Sequence, residues 1–325
     1  LWAAGKEALP VGGCVRDLLL GRAPGDWDVT TSALPEEVMA LFRRAIPTGL
    51  KHGTVTVLSG PMAVEVTTFR REEGYADGRH PDGVAFDVGL REDLARRDFT
   101  VNAMALGPAG EVIDPFGGRA DLNAKVLRCV GDPDTRFAED ALRMLRALRF
   151  AAQLGFAVEE NTLVAIGRNA RRAALVSGER IKIELEKTLL SPRPEWAGEA
   201  MRLGLMAHLY PETTCPDLIQ LRELPPEPIP RWRGFCRETG FPIERLPVER
   251  ALRQGVLHPE REAIKDLALS GGQLAALGLK GKEIGAVQRE LAAHILAHPV
   301  DNTREKLLEL VEKSRGTGKN SPSLS

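Results

Sequence analysis

Several things are scarce in this 325-residue chain, and each scarcity excludes something. Its four cysteines, at 14, 129, 215 and 236, form no CxxC pair and no short ligand spacing. That excludes a disulfide framework and a cysteine zinc site, and it reads as the reduced thiols of a cytoplasmic protein. No stretch free of Asp, Glu, Lys and Arg exceeds thirteen residues, the length of Leu267–Leu279, whereas a membrane-spanning helix needs ~20. No charged-then-apolar leader opens the chain, and helical-looking sequence starts at Leu1, as if the first element had begun earlier. Aromatic residues reach only 5%, too few for a platform on which unstructured single strands stack. An excess of one charge is lacking too, with 44 basic residues against 45 acidic ones and a net charge of −1. Any affinity for a polyanion must therefore sit in patches. There is no P-loop, no internal repeat and no His-Asp dipeptide of a metal phosphohydrolase.

What remains is an ordinary globular mix, 43% apolar and 27% charged, in a chain long enough for roughly two domains of about 150 residues. The first ~130 residues mix short strands with helices. Gly53 to Leu58 and Ala63 to Phe69 alternate β-branched residues around Ser-Gly-Pro, which predicts a hairpin. From Phe137 the period becomes helical, and Ala138 to Leu154 predicts one helix closed by Gly155. Prolines at 211, 216, 225, 226, 228 and 230 predict a loop or subdomain junction. The last ten residues, GTGKNSPSLS, read as a disordered tail or a remnant of expression. The fold class expected is α+β, a head with a mixed sheet followed by an all-α remainder.

The densest chemical signal is VGGCVRDLLLGRAPGDWDVTT, Val11 to Thr31. Gly12 and Gly13 precede a short helix expected over Val15–Leu20, where free backbone N–H groups suit a phosphate. Arg16, one turn in, adds a positive fork. A bare Gly-Gly pair is as readily a tight turn. In Asp26-Trp27-Asp28-Val29 the alternation of a strand puts both carboxylates on one face. They repel unless a cation lies between them, and hard oxygen ligands suit Mg²⁺ held together with substrate phosphates. A solvated strand face is the plain alternative. Glu65 interrupts the strand of Val64, Val66 and Thr67, and is the candidate for a third carboxylate that activates an attacking hydroxyl or completes a second metal site.

In RRDFTVNAMA, Arg96 to Ala105, Arg97 is the candidate for the sugar or phosphates of a nucleotide, while Asp98 equally suits a helix cap. DPFGGRADL, Asp114 to Leu122, looks like a loop closing the head. Glu139-Asp140-Ala141-Leu142-Arg143 then runs on to Arg146 and Arg149. On a helix Asp140 and Arg143 are i,i+3 neighbours, and a salt bridge on a solvated face is one reading. The other is a base reader. A carboxylate accepts from an exocyclic amino group and a guanidinium donates to a ring acceptor, so the pair suits cytosine and adenine and rejects uracil and guanine. Between Arg136 and Lys182 nine basic residues face five acidic ones.

These stretches, with HGTVTV at 52–57, VEVTTFR at 64–70 and SGERIKIEL at 177–185, resemble the class II tRNA nucleotidyltransferases, which include CCA-adding enzymes and bacterial poly(A) polymerases. They follow that family's order over most of residues 10–190. The resemblance implies a polymerase-β-like nucleotidyltransferase head over 1–137 and a helical neck over 138–190 carrying the nucleotide-selecting motif. It implies a helical body and tail over 191–315 that bind tRNA, with 316–325 outside them. It also implies Mg²⁺ on Asp26 and Asp28, with nucleotide contacts from Gly13, Arg16, Arg97, Asp140, Arg143, Arg146 and Arg149. CTP and ATP would be added to the 3′ end of the tRNA acceptor arm, with pyrophosphate released and no stable protein partner or membrane involved. GYADGRHPDGVAF at 74–86 resembles the flexible loop of enzymes that add all of CCA. Addition of only A or only CC, a poly(A) polymerase and a non-catalytic RNA-binding relative are the alternatives. For tRNA contact the basic candidates are Arg168, Arg171, Arg172, Lys280, Lys282 and Arg289.

Overall fold

The computed structural model describes residues 1–74 and 83–317. Most of the loop-like segment at 74–86, and the tail from 318 onward, lie outside the described residues. The head opens with β1 (Ala8–Pro10), α1 (Gly13–Leu19), β2 (Trp27–Thr31), α2 (Pro35–Leu41) and β3 (Ala45–Gly49). The expected hairpin follows as β4 (Thr54–Ser59) and β5 (Met62–Thr68). Five strands make one mixed sheet in the order β1-β2-β5-β4-β3, in which only β2 and β5 run parallel.

Strand alternation divides the sheet into two chemically distinct faces. In register, Trp27, Val64 and Val57 lie side by side, as do Val29, Val66 and Val55. Val55, Val57 and Val66 are buried with Ala33 and with Val38 of α2. The alternate positions are polar: Asp28, Glu65 and Thr56 form one row, and Thr30, Thr67 and Thr54 the next. Such a row cannot face the core, so the sheet turns it toward α3 (Leu90–Ala95) and open space. Thr30 meets Asp93 of α3 there, Oγ1 donating to Oδ2 at 3.0 Å.

Asp114 to Leu122 is more than a closing loop. Asp114 accepts from the N–H groups of Gly118 and Arg119 at 2.7 and 2.9 Å, and so starts α4 (Gly118–Ala124). Gly118 is required there, since a Cβ would lie 2.2 Å from the Thr100 carbonyl oxygen.

The predicted helix over Ala138–Leu154 is broken. α5 (Pro133–Glu139) ends, Asp140 is extended at φ −143°, and α6 (Leu142–Leu154) begins two residues later. Asp competes locally for backbone donors and so favours helix ends. Its Oδ1 accepts from the Leu142 N–H at 3.0 Å. Helices α7 (Glu160–Asn169), α8 (Gly178–Leu189), α9 (Trp196–Arg202), α10 (Pro228–Thr239) and α11 (Arg250–Leu257) complete the middle of the chain. Of the prolines, Pro211, Pro216, Pro225 and Pro226 lie in a loop with one short turn at Ile219–Glu223, while Pro228 and Pro230 open α10. The loop is not a break in packing, because Leu218 and Leu221 join a single core that runs from Cys14 to Val256. A separate core begins at Ala263 and ends at Val311. It is built by α12 (Pro259–Ala263), α13 (Gly271–Ala276), α14 (Lys282–Ala297) and α15 (Arg304–Thr317), so residues 316 and 317, expected in the tail, are helical.

All four cysteines are free. No helix among the described residues is long and apolar enough to cross a membrane.

Within the large core, Arg149 of α6 and Glu184 of α8 are buried together, Nε donating to Oε2 at 2.5 Å. Removing one partner leaves the other charge without compensation. Glu184→Gln is expected to lower the unfolding free energy by about 3 kcal/mol, read by urea denaturation followed by circular dichroism. A loss under ~1 kcal/mol would mean that the pair contributes as little as an exposed one.

Candidate nucleotide and metal site

The polar row of the sheet forms the floor of the site. The parallel register sets Asp28 of β2 directly beside Glu65 of β5, and Asp26 precedes the strand by one residue, exposed. Burial and then the neighbouring Asp26 push the Asp28 carboxyl up, against the pull of Arg97. Burial and the charges of Asp28 and Asp26 push Glu65 up as well. In both carboxylates the ionised form is therefore disfavoured, a cost that a bound cation would remove. The donor set is all hard oxygen and fits Mg²⁺, which takes few carboxylates and fills its octahedron with water and phosphate oxygens. No group of three or more His, Cys, Asp and Glu side chains among the described residues is already gathered into a metal cage.

Gly12 lets a cation and a carboxylate come close. Its φ is +81°, and a Cβ there would lie 3.0 Å from Arg97 Nη1 and 3.9 Å from Asp28 Oδ2. Only glycine leaves that space and adopts that conformation readily. The Val11 N–H donates to the Asp28 carbonyl at 3.0 Å and the Gly12 N–H to the Met104 carbonyl at 3.1 Å. The short helix starts earlier than its sequence suggests, with Gly13 already in its first turn.

Arg97 is aimed from behind by a carboxylate that the sequence reading passed over. Asp93, fully buried, takes Arg97 Nη2 at 3.3 Å and both Nε and Nη2 of Arg96 at 3.0 and 2.8 Å. Burial alone would raise its carboxyl, but Arg96 and Arg97 bring it below the ordinary value. Its signal lay in the spacing, three and four residues before Arg96 and Arg97, which follow the end of α3. Arg97 Nε is buried with no hydrogen-bond partner among the described residues, an orphan donor beside Asp28 that suits an anionic ligand.

Arg16 is buried, donating through Nη1 to Asn102 Oδ1 at 2.7 Å and through Nε to Asp17 at 2.9 Å. Asp98 is no simple cap. It accepts from the Phe99 N–H at 2.9 Å, from Asn102 Nδ2 at 3.2 Å and from Arg146 Nη2 at 2.6 Å. The guanidinium groups of Arg16, Arg146 and Arg149 surround the Phe150 ring at 5.3, 5.3 and 3.9 Å. Phe150 in turn meets Phe99 edge-on at 5.8 Å. Cation–π contacts thus join head to helices at one ring.

The side chains of Asp140 and Arg143 are not paired with each other. Arg143 Nη1 donates to Glu139 Oε2 at 2.5 Å and Nη2 to the Arg96 carbonyl at 2.9 Å. Asp140 receives both terminal nitrogens of Arg180, at 3.2 and 2.7 Å. Arg180 lies inside SGERIKIEL but was not singled out, since nothing local ties position 180 to position 140. Arg136 Nη1 donates to the Ala95 carbonyl at 3.0 Å and its Nη2 pairs with Glu139. The α5–α6 turn is therefore docked on residues 95–96, one residue from Arg97. Arg149 stands apart from this group, committed to Glu184 and to Gln153. Of the basic candidates for RNA contact, Arg168 pairs with Asp134 and Arg172 donates to Asn169, while Arg171, Lys280, Lys282 and Arg289 are exposed. A hollow of about 920 Å³ between α10, α11 and α14, lined by Arg233, Cys236, Phe241, Val256 and Leu296, includes none of the site residues.

Comparison with known proteins gives this geometry a family. The model for the poly(A) polymerase head domain matches residues 8–128, and that for a probable RNA- and SrmB-binding site of polymerase A matches 155–215. The CCA-adding enzyme of Geobacillus kaustophilus is 53% identical over 209 residues, 63% of this chain and 51% of that one. That of Lactiplantibacillus plantarum is 48% identical over 230 residues, 71% of this chain and 56% of the other. The crystal structure of Bacillus stearothermophilus CCA-adding enzyme in complex with CTP is 33% identical, with a TM-score of 0.58 over 99% of this chain and 96% of that one. The chain belongs to the class II tRNA nucleotidyltransferase and poly(A) polymerase family. It spans about half the length of the curated relatives it matches.

The Asp98–Arg146 contact has a measurable signature. Burial would raise the Asp98 carboxyl, but the Arg146 charge and hydrogen bond bring it down to about 2 from the ordinary 3.8. A depressed folded value means that the stabilisation is fully present above pH ~4 and is lost as pH falls toward ~2. Wild type and Asp98→Asn are expected to differ by about 2 kcal/mol in unfolding free energy at neutral pH. The gap should close on acidification, as read by denaturant melts along a pH series. A gap that stayed constant with pH would refute the linkage.

Proposed function

We propose that the chain adds CCA to the 3′ end of tRNA without a nucleic-acid template, using CTP and ATP and releasing pyrophosphate. The observation that carries this reading is contiguity. The in-register pair Asp28 and Glu65, the Arg97 cation beside them, and the turn bearing Asp140 and Arg143 follow one another through residues 95–98. One end suits a triphosphate and the other suits a base. The relatives named as CCA-adding enzymes, and the 33% identical structure containing CTP, support the same reaction class.

In this mechanism the terminal 3′ oxygen attacks the α-phosphorus. The new O3′–Pα bond forms as the bond from Pα to the bridging oxygen of pyrophosphate breaks. Mg²⁺ bound at Asp26 and Asp28 would neutralise triphosphate charge and acidify the attacking hydroxyl. Glu65, in register with Asp28, completes the carboxylate set or accepts the hydroxyl proton. Arg97 and Arg16 neutralise phosphate oxygens, and Gly12 and Gly13 admit them to the backbone. Asp140 accepts from the amino group of cytosine or adenine while Arg143 donates to the ring acceptor beside it. Arg146 holds Asp98 and braces the turn. The exposed basic side chains of the helical half meet the tRNA phosphates, which are read by shape.

The test is primer extension at single-nucleotide resolution with Mg²⁺, on tRNAs ending before CCA, after C and after CC. Completion of all three at CCA, without further growth, is the expected result. Extension of only the CC-ended substrate would make the protein an A-adder, arrest after CC a CC-adder, and a long A ladder a poly(A) polymerase. Asp28→Ala is expected to lower turnover on the order of 10³-fold, equivalent to about 4 kcal/mol, with the melting profile retained. Near-normal turnover would refute the metal assignment.

A further inference from the structure

Asp140 stands on the two-residue link between α5 and α6. Helix α5 has ended and α6 has not begun, and the residue is extended. The terminal torsion of an Asp side chain is broad, so a carboxylate on such a link has no fixed plane of its own. A reader that tells an amino group from a carbonyl by direction needs one.

Arg180, in the first turn of α8, supplies it from across the fold. Its Nη1 reaches Oδ1 at 3.2 Å and its Nη2 reaches Oδ2 at 2.7 Å. This is the planar two-on-two geometry that only a guanidinium makes with a carboxylate. Oδ1 also accepts from the Leu142 N–H at 3.0 Å. A carboxylate has about four acceptor positions, so these three bonds leave one, on Oδ2. The side chains of Arg180 and Asp140 are 24% and 19% exposed, so the pair is largely withdrawn from water without being sealed. Arg143 is fixed in the same manner from its own side, by Glu139 and the Arg96 carbonyl.

Resting on the reading of Asp140 as the base-selecting acceptor, we infer that Arg180 is a specificity-determining positioning residue. Its fork sets the plane of the Asp140 carboxylate, and with it the direction of the one free acceptor position. Arg180 contacts no base in this scheme and acts only through Asp140. Without the fork the carboxylate rotates. It then meets the amino group of cytosine less well and turns away from the carbonyl of uracil, so discrimination collapses from both sides. An ordinary half-exposed ion pair would have no such consequence, since its loss costs little and costs every nucleotide alike. Lysine would keep the charge but not the fork.

The decisive measurement is calorimetric binding of CTP, ATP, UTP and GTP, with Mg²⁺ present, to the full chain and to Arg180→Lys and Arg180→Gln. Both variants are expected to lose on the order of tenfold in the preference for CTP over UTP, the discrimination carried by one well-formed bidentate contact. Arg180→Lys, the milder change, keeps the test alive if Arg180→Gln does not fold. In an Asp140→Ala background the Arg180 substitutions should shift the ratio no further, because the two residues act as one unit. Equal weakening of all four nucleotides, or an unchanged ratio in Arg180→Lys, would overturn the inference. A wild type that bound the four bases alike would overturn both it and the reading of Asp140. A wild type that discriminated in binding yet extended no tRNA would defeat the proposed reaction and leave the role of Arg180 standing.

Discussion

An arginine withdrawn from water has to be met by a carboxylate or a carbonyl, and this requirement organises the middle of the molecule. Asp93 faces Arg96 and Arg97 inside the head, and Asp98 reaches Arg146 on α6. Arg136 and Arg143 share Glu139, and Arg149 is closed off by Glu184. The pairs Arg143–Glu139, Arg146–Asp98 and Arg149–Glu184 tie α6 to α5, to the 95–98 segment and to α8, so these elements hold their relative positions through charge as well as apolar packing. Phe150 stands at the centre, with guanidinium groups around its ring and Phe99 against its edge.

The same pairing separates two kinds of arginine. Some are held by two side chains at once, as Arg149 is by Glu184 and Gln153. Others are aimed and left with capacity to spare, as Arg97 is, held by Asp93 at one nitrogen with its Nε unpartnered. In the proposed reaction Arg97 is the one that meets a phosphate, while Arg149 fastens helices. Sequence alone presents both as arginines at helical spacing.

Much of the head was legible from its pattern. The alternation of Gly53–Leu58 and Ala63–Phe69 marked the hairpin, because it is set by neighbours along the chain, whereas the shared strand face expected for Asp26 and Asp28 meets a strand that begins at Trp27, with only Asp28 inside it. The break at Asp140 was hidden because the apolar period runs through it, while the side chain prefers a bond to the Leu142 N–H over a helical place. The partners of Asp140 and Arg149 were hidden for another reason. Arg180 and Glu184 lie 40 and 35 residues away, on a helix whose packing against α6 no local pattern specifies. The proline-rich stretch marked the loop it forms, but not what packs beneath it. Proline interrupts backbone geometry and need not interrupt a core, and Leu218 and Leu221 carry apolar packing straight through it.

The two-faced sheet also constrains how this gene can vary. Side chains on a strand repeat every two residues, so one residue inserted or deleted within β5 would exchange its faces. Glu65 would turn into the valine layer beneath the sheet, and Val64 and Val66 would turn out among the carboxylates. Insertions in pairs would restore the faces but slide Glu65 off its register with Asp28. Length variation is therefore confined to the turn at Gly60–Pro61 and to the connection that follows β5. In this respect the strand behaves as a reading frame, in which the count of residues matters as much as their kind.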